Sequence, residues 1–189
     1  MLALVACNSR SASPLSPSAS DPSFSAGAGQ KTVSRSPSAL QPQLAAVRKA
    51  TSRFQDIDAA LAAGYVDDGF GCIDAVSFGL DPSLGGMGFH LINWDLHNDP
   101  ETDPAQPDLL VYEPAHDPHA KPKLVALEYE NDRPAWYGAG HTGVPTLFGH
   151  PFESIDFDTL ELFGLHLWLW RDNPAGLFED FNPKVALCQ

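Results

Sequence analysis

The sequence predicts an α+β fold in which N-terminal helices pack on a mostly antiparallel sheet within a single loop-rich domain. Three observations lead to this prediction: an apolar pattern with helical spacing opens the domain, strand-like apolar runs come only after it, and turn residues separate those runs. Helices and strands segregated along the chain are typical of the α+β class, whereas alternating β and α units would predict a parallel sheet.

The predicted helices lie at the start of the domain. Residues 43 to 54 carry three apolar side chains near helical spacing: Leu44, Val47 and Phe54. Asp56 is then expected to cap a second helix that ends before Gly64. These helices can bury one apolar side against a sheet.

The predicted strands follow a glycine-rich passage that begins after Tyr65 and reads as loop. A short apolar run at 89–92 ends this passage, and clearer strands follow at 109–113, 123–130 and 162–170. Alternation along the last strand separates Leu165, Leu167 and Leu169 from His166, Trp168 and Trp170. We expect the leucine side to meet the helices.

The N-terminal part of the chain is expected to be a spacer. Residues 8 to 42 are rich in Ser, Pro and Ala, so they cannot bury enough apolar surface to offset the entropy lost on ordering. Residues 43 to 189 remain as one domain of ordinary size. This domain carries 8 basic and 23 acidic residues, which argues against nucleic acid as a partner.

The start of the chain, residues 1 to 7, resembles the lipobox of bacterial lipoproteins in the segment Leu4-Val5-Ala6-Cys7. That resemblance implies lipidation of Cys7 and a place in the bacterial cell envelope, at the periplasm or the cell surface. The membrane would be reached through the lipid anchor only. Only six residues precede Cys7 and none is basic, whereas a full signal has a charged start, so we expect the true start upstream of Met1.

Cysteine usage agrees with export. Cys72 and Cys188 are the only cysteines besides Cys7. In an oxidising compartment, two remaining cysteines of one domain most often pair. The sequence therefore predicts a Cys72–Cys188 disulfide.

Three segments resemble those of an uncharacterised family of exported proteins: Gly85–Asn93 (GGMGFHLIN), Leu127–Tyr129 (LEY) and His166–Phe178 (HLWLWRDNPAGLF). The resemblance covers most of the domain and implies export. It implies no activity, so no residue takes a functional role from it.

The strongest candidate site consists of His90, Glu128 and His166, each of which interrupts an apolar run on a predicted strand. If the three strands are neighbours, two imidazoles and a carboxylate converge, and that ligand set suits zinc, or iron or copper. The alternative is a buried hydrogen-bond network in which Glu128 or backbone groups satisfy the imidazoles. No short His-x-His or His-Glu-x-x-His spacing separates the two interpretations.

Two further predictions concern residues near this site. His150 lies in a glycine-flanked loop that Phe148 and Phe152 can anchor, and it is the best candidate for a fourth metal ligand. A platform of Trp168, Trp170 and Arg171, with Tyr129 on another strand, could stack a small-molecule ligand. The same aromatic residues could instead supply core packing.

The sequence thus predicts an exported, lipid-tethered domain that binds a metal ion or small ligand around His90, Glu128 and His166. Two alternatives stay open. One is a metal-dependent hydrolase or oxygenase using the same residues, and the other is a structural envelope protein with a buried polar network. No Gly-x-Ser-x-Gly elbow, P-loop or dinucleotide fingerprint is present, so the sequence does not decide whether the protein is an enzyme.

Overall fold

The computed structural model describes residues 37 to 188, except for positions 116, 118 and 158. Cys7 and most of the predicted spacer lie outside the described residues. The helices are α1 (Pro37–Thr51), α2 (Ile57–Ala62), α3 (Trp94–His97) and α4 (Arg133–Gly138), and a 3₁₀ turn at Ser52–Gln55 joins α1 to α2. Of the helices in this part of the chain, none is long and apolar enough to cross a bilayer.

The strands are β1 (Val66–Asp74), β2 (Gly86–Ile92), β3 (Leu109–Glu113), β4 (Lys123–Asp132), β5 (Thr146–Leu147), β6 (His150–Pro151), β7 (Glu153–Phe157) and β8 (Leu160–Leu167). Within the described residues, six of them form one antiparallel sheet in the order β1, β2, β3, β4, β8, β7, and β5 and β6 form a separate hairpin. The α+β prediction is confirmed.

One face of the sheet, here called the helix face, packs against α1 and the 3₁₀ turn. Leu44, Val47 and Phe54 are buried there in one cluster with the leucines of β8 and of the chain that follows it, Leu165, Leu167 and Leu169. The Tyr112 hydroxyl donates a hydrogen bond to the carbonyl of Phe54 (2.7 Å). The expected contact between helices and leucines is therefore confirmed, and each fully buried aliphatic side chain contributes about 1.5–3 kcal/mol.

The first helix begins at Pro37, earlier than the predicted domain start at residue 43. The composition of residues 8 to 42 predicted a spacer, and Pro42 disfavours a helix interior. Near the helix start, however, its missing N–H removes a single hydrogen bond, and Pro37 itself suits the first helical position. The described part of the spacer is thus helical.

The glycine-rich passage after Tyr65 holds strands that the sequence did not predict. β1 occupies Val66–Asp74, and β2 begins at Gly86 rather than at residue 89. β1 is an edge strand and largely exposed, so it lacks the apolar alternation by which a half-buried strand is recognised. Its pairing with β2 is also irregular between Asp67 and Cys72.

A bulge in β4 changes which of its side chains share a face. Val111 pairs with Ala126 but Tyr112 pairs with Leu124, which leaves Val125 as an extra residue. Leu124 consequently lies with Leu127 in the cluster on the helix face, although simple alternation would place Leu124 with Glu128.

The strand predicted at 162–170 ends at Leu167. The amides of Trp170 and Arg171 then both donate to the carbonyl of Val125, at 3.1 and 3.0 Å, and this turn takes Trp170 to the helix face. There its indole lies under the Arg48 guanidinium, 4.9 Å from the ring centroid. The prediction that Trp170 shares a face with His166 and Trp168 is wrong because the extended conformation does not continue that far.

The C-terminal segment (residues 179 to 188) covers part of the opposite face, here called the site face. Val185 packs in a buried cluster with Met87, Val111 and Trp168, and Gly86 bridges to Asn182. A Cβ atom at Gly86 would lie 2.6 Å from the carbonyl oxygen of Ala186. Glycine is required there because the two backbones approach so closely.

The predicted Cys72–Cys188 disulfide is present, with the two Cα atoms 5.7 Å apart and 116 positions apart in sequence. It joins edge strand β1 to the end of the C-terminal segment. The Cys188 amide also donates to Asp74 Oδ2 (2.8 Å), so the last residues of the segment are fixed by a covalent link and a hydrogen bond.

Reducing this disulfide is expected to lower the free energy of unfolding by about 4–5 kcal/mol, because the bond closes a long loop in the unfolded chain. Thermal unfolding with and without a phosphine reductant measures the effect, which corresponds to roughly 10 °C or more. The Cys72→Ser/Cys188→Ser double variant is the control and should not respond to the reductant. A wild-type melting temperature unchanged by verified reduction would contradict the prediction.

Candidate metal centre

Strands β2, β4 and β8 bring His90, Glu128 and His166 together on the site face. Glu128 and His166 are directly opposite each other in the antiparallel register of β4 and β8. The expectation that all three strands are neighbours is wrong for β2, because β3 separates it from β4. His90 nevertheless aligns through Val111 with Ala126, two residues from Glu128. Side chains two residues apart on a strand lie on the same face. Glu128 is two residues from Ala126 and is paired with His166, so His90, Glu128 and His166 share a face.

The ligand atoms of the three side chains lie within 4.8 Å of one another. His90 Nε2 is 3.4 Å from Glu128 Oε2, and His166 Nε2 is 3.5 Å from the same oxygen. Metal–ligand bonds of about 2 Å bring ligand atoms to such separations around one ion. The predicted convergence of two imidazoles and a carboxylate is confirmed, and this group could hold a metal ion.

All three residues are buried, with 3% of His90 and 4% each of Glu128 and His166 exposed. His166 Nε2 and His90 Nδ1 are buried without a hydrogen-bond partner in the protein. A buried polar atom without a partner costs about 1–3 kcal/mol. His166 Nε2 faces Glu128, so an ion bound between them would satisfy it.

Burial and mutual charge shift the pKa of every member of the group. Burial raises the pKa of Glu128. Burial alone would lower the pKa of His166, but the carboxylates of Glu128 and Asp180 outweigh it and raise that pKa. Burial, together with the nearby His166, lowers the pKa of His90 to about 3. His90 is therefore neutral and keeps a lone pair for a metal, whereas the raised pKa of His166 means that a metal must displace a proton from its imidazole.

His150, the predicted fourth ligand, does not join the group. Its imidazole stacks on Phe178, with ring centroids 4.6 Å apart and planes at 18°. The β5–β6 turn is anchored by Phe148, which packs against Tyr129 in the cluster on the helix face. The expected anchor exists, but it holds the loop and its histidine away from the three ligands.

The predicted stacking platform does not form, because its four members lie in different places. Trp168 is buried on the site face beside His166, and its indole donates to the carbonyl of Glu179. Trp170 packs on the helix face. Arg171 is paired with the buried carboxylate of Glu113. Tyr129 is fully buried on the helix face and donates to the carbonyl of Pro104 (2.8 Å). These residues support the fold and present no common surface to a ligand.

Two carboxylates that sequence reasoning missed lie next to the histidines. Asp68 Oδ2 is 3.8 Å from His90 Nδ1, and Asp180 Oδ1 is 3.5 Å from His166 Nδ1. Burial raises the pKa of Asp68 to about 6, despite the hydrogen bond from the Phe70 amide. Asp68 was missed because β1 read as a loop. Its position just before Gly69 and Gly71 was the available signal for a strand irregularity near a site.

A second imidazole–carboxylate pair lies beside the centre. His97 Nδ1 is 3.3 Å from Glu130 Oε2, and Asp108 Oδ2 accepts a hydrogen bond from the Glu130 amide (3.0 Å). Burial lowers the pKa of His97, but Glu130 more than compensates and raises it. Burial raises the pKa of Asp108 to about 7.

Comparison with known proteins gives no matching family model, and no curated protein or solved structure is significantly similar to the chain. The resemblance to a family of exported proteins stays a prediction. Function is therefore inferred from the geometry of the site.

Asp108→Asn is expected to remove a pH dependence of stability. Because the pKa of Asp108 is raised on folding, its contribution is fully present below about pH 4 and is lost as pH rises through 7. The variant cannot ionise and should gain stability over wild type by roughly 1–3 kcal/mol at pH 8 but not at pH 4. Urea unfolding at both pH values measures this difference. Asp95→Asn is the control at an exposed position, and a gain for Asp108→Asn that is equal at both pH values would show the assignment to be wrong.

Proposed function

We propose that the protein binds one divalent transition metal ion through His90 Nε2, Glu128 Oε2 and His166 Nε2. The observation that carries the proposal is that one ligand atom from each of the three buried residues lies within 4.8 Å of the others. The unpaired His166 Nε2 supports it, since a network built only for hydrogen bonding would leave no imidazole nitrogen facing a carboxylate without a bond.

Zinc is the ion that we propose for this ligand set. Two imidazole nitrogens and one carboxylate oxygen are a frequent zinc set, completed by a water or another oxygen in the fourth position. The same three ligands on one face of an octahedron also suit iron(II), and imidazole suits copper. Zinc tolerates the geometry best because its filled d shell imposes no angular preference.

The burial of the three ligands favours metal binding over catalysis on an external substrate as the role of the centre. A catalytic metal needs a position that faces substrate, but all three side chains are 4% exposed or less. A hydrolase or oxygenase using these residues would require the covering segment to move. Catalysis is accordingly the role to assay only after metal binding is measured.

Export and lipid tethering are part of the proposal. The Cys72–Cys188 disulfide supports an oxidising compartment, and the lipobox-like segment before Cys7 supports an anchor in the bacterial envelope. A metal site outside the cytoplasm fits a protein that acquires its ion after export.

Zinc binding is tested on untagged protein by titration against a chelating indicator. We expect one zinc ion per chain and expect Glu128→Gln and His166→Ala to weaken binding more than about 100-fold, since even groups behind the ligands contribute 10–100-fold. His150→Ala is the matched control and should bind like wild type. Zinc at 100 times its dissociation constant should also stabilise the wild type by about 2.7 kcal/mol.

Each other outcome has a definite meaning. Wild-type protein that binds no zinc, iron or copper, with His166→Ala merely destabilised, would identify the residues as a buried polar network. Equal loss of binding in His150→Ala and His166→Ala would place the ion elsewhere.

The anchor is tested by Cys7→Ser in the full-length precursor expressed in its own host. We expect wild-type protein in the membrane fraction and the variant in the soluble fraction. Cys7→Ser removes the residue that carries the acyl chains, and stable attachment takes two or more of them. Ser9→Ala serves as the control. Unchanged partitioning of Cys7→Ser would overturn the lipoprotein assignment.

A further inference from the structure

Both imidazoles of the proposed centre have a carboxylate behind them. His90 uses Nε2 toward Glu128 and Nδ1 toward Asp68 Oδ2, which is 3.8 Å away. His166 likewise uses Nε2 toward Glu128 and Nδ1 toward Asp180 Oδ1, at 3.5 Å. The five groups therefore alternate between carboxylate and imidazole across the site face, with Glu128 at the centre.

We propose that Asp68 and Asp180 are positioning residues for the metal centre, an inference that rests on the proposed function. Each carboxylate accepts the Nδ1 proton of its histidine and so leaves the Nε2 lone pair directed at the ion. A carboxylate behind a ligating histidine fixes the tautomer and the ring orientation and strengthens the imidazole as a ligand. The observed separations need to close by less than 1 Å to become hydrogen bonds.

The local structure of β1 orients Asp68 for this role. β1 advances from Asp67 to Cys72 while β2 advances only from Leu91 to Phe89, so additional residues of β1 bulge out of the ladder. Gly69 takes a φ of 88° in the bulge, and the Phe70 amide donates to Asp68 Oδ1 (2.9 Å). The other oxygen, Oδ2, is thereby left to face His90.

Asp180 is fixed by hydrogen bonds to the backbone on both sides of it. The Trp168 indole binds the carbonyl of Glu179, and Asn173 Nδ2 binds the carbonyl of Phe181 (2.9 Å). The Asn182 amide donates to the carbonyl of Gly86 (3.1 Å). Trp168 and Asn173 therefore position the segment whose carboxylate faces His166.

The disulfide connects the two segments that carry these carboxylates. Cys72 lies at the end of the β1 bulge that holds Asp68, and Cys188 ends the segment that holds Asp180. One covalent bond thus restrains both carboxylates relative to the sheet. Such fixed positions are what a positioning role requires, because a mobile carboxylate would not select one tautomer.

The test measures zinc binding in the full chain. It compares neutral, isosteric variants of Asp68 and Asp180 with variants that remove the same charge from an adjacent residue. We expect Asp68→Asn and Asp180→Asn each to weaken zinc binding about 10–100-fold. Asp67→Asn and Glu179→Gln remove the same charge from adjacent exposed residues and should change affinity less than about fivefold. Asp180→Glu should recover part of the affinity because it restores a carboxylate.

A second readout separates positioning from a merely structural effect. Long-range ¹H–¹⁵N spectra of the zinc-loaded protein should show both ligand imidazoles with Nε2 on the metal and a proton on Nδ1. In Asp180→Asn, the Nδ1 proton of His166 should exchange faster with water while that of His90 is unchanged. A structural defect would alter both rings and would lower the melting temperature of the metal-free variant.

The outcomes distinguish this inference from the proposed function. If wild-type protein binds no zinc, iron or copper, the proposed function fails and the inference fails with it. If wild-type protein binds zinc through the three ligands but Asp180→Asn behaves like Glu179→Gln, only the inference is overturned. Asp180 is the decisive position, because its side chain is 44% exposed and its neutral variant leaves no buried gap.

Discussion

The buried carboxylate of Glu128 imposes a constraint on one whole face of the sheet. Removing such a group from water costs several kcal/mol unless partners compensate, and the register of β4 with β8 supplies the first partner by setting His166 directly opposite. His90 reaches the same oxygen from β2. The C-terminal segment packs on the same face, its disulfide joins it to β1, and these two segments carry the carboxylates that lie next to the imidazoles.

The two faces of the sheet have different roles. The helix face buries aromatic and aliphatic side chains beneath α1 and supplies the apolar core. The site face carries a smaller apolar cluster around Trp168 and Val185, next to the polar centre. A stable core on one side allows the other side to keep ionisable groups that would otherwise be too costly to bury.

Much of this arrangement could be predicted from the sequence, where local pattern decides structure. Alternation in β4 and β8 predicted the faces of Glu128 and His166, and helical spacing predicted the contact of Leu44 with the β8 leucines. Alternation failed at Trp170 and Leu124, because a turn and a bulge shift the face by one residue and are set by hydrogen bonds to distant backbone. Asp68 was missed because an exposed edge strand leaves no periodic signal, and only the glycines that follow it hinted at an irregular strand. The position of His150 could not be predicted because it depends on how Phe148 packs.

The most direct test of the metal assignment is anomalous diffraction at the zinc edge from crystals of the zinc-loaded protein. We expect one peak about 2.0–2.2 Å from His90 Nε2, Glu128 Oε2 and His166 Nε2. A peak at exposed side chains instead, or none at the site with the three side chains hydrogen-bonded directly to one another, would contradict it.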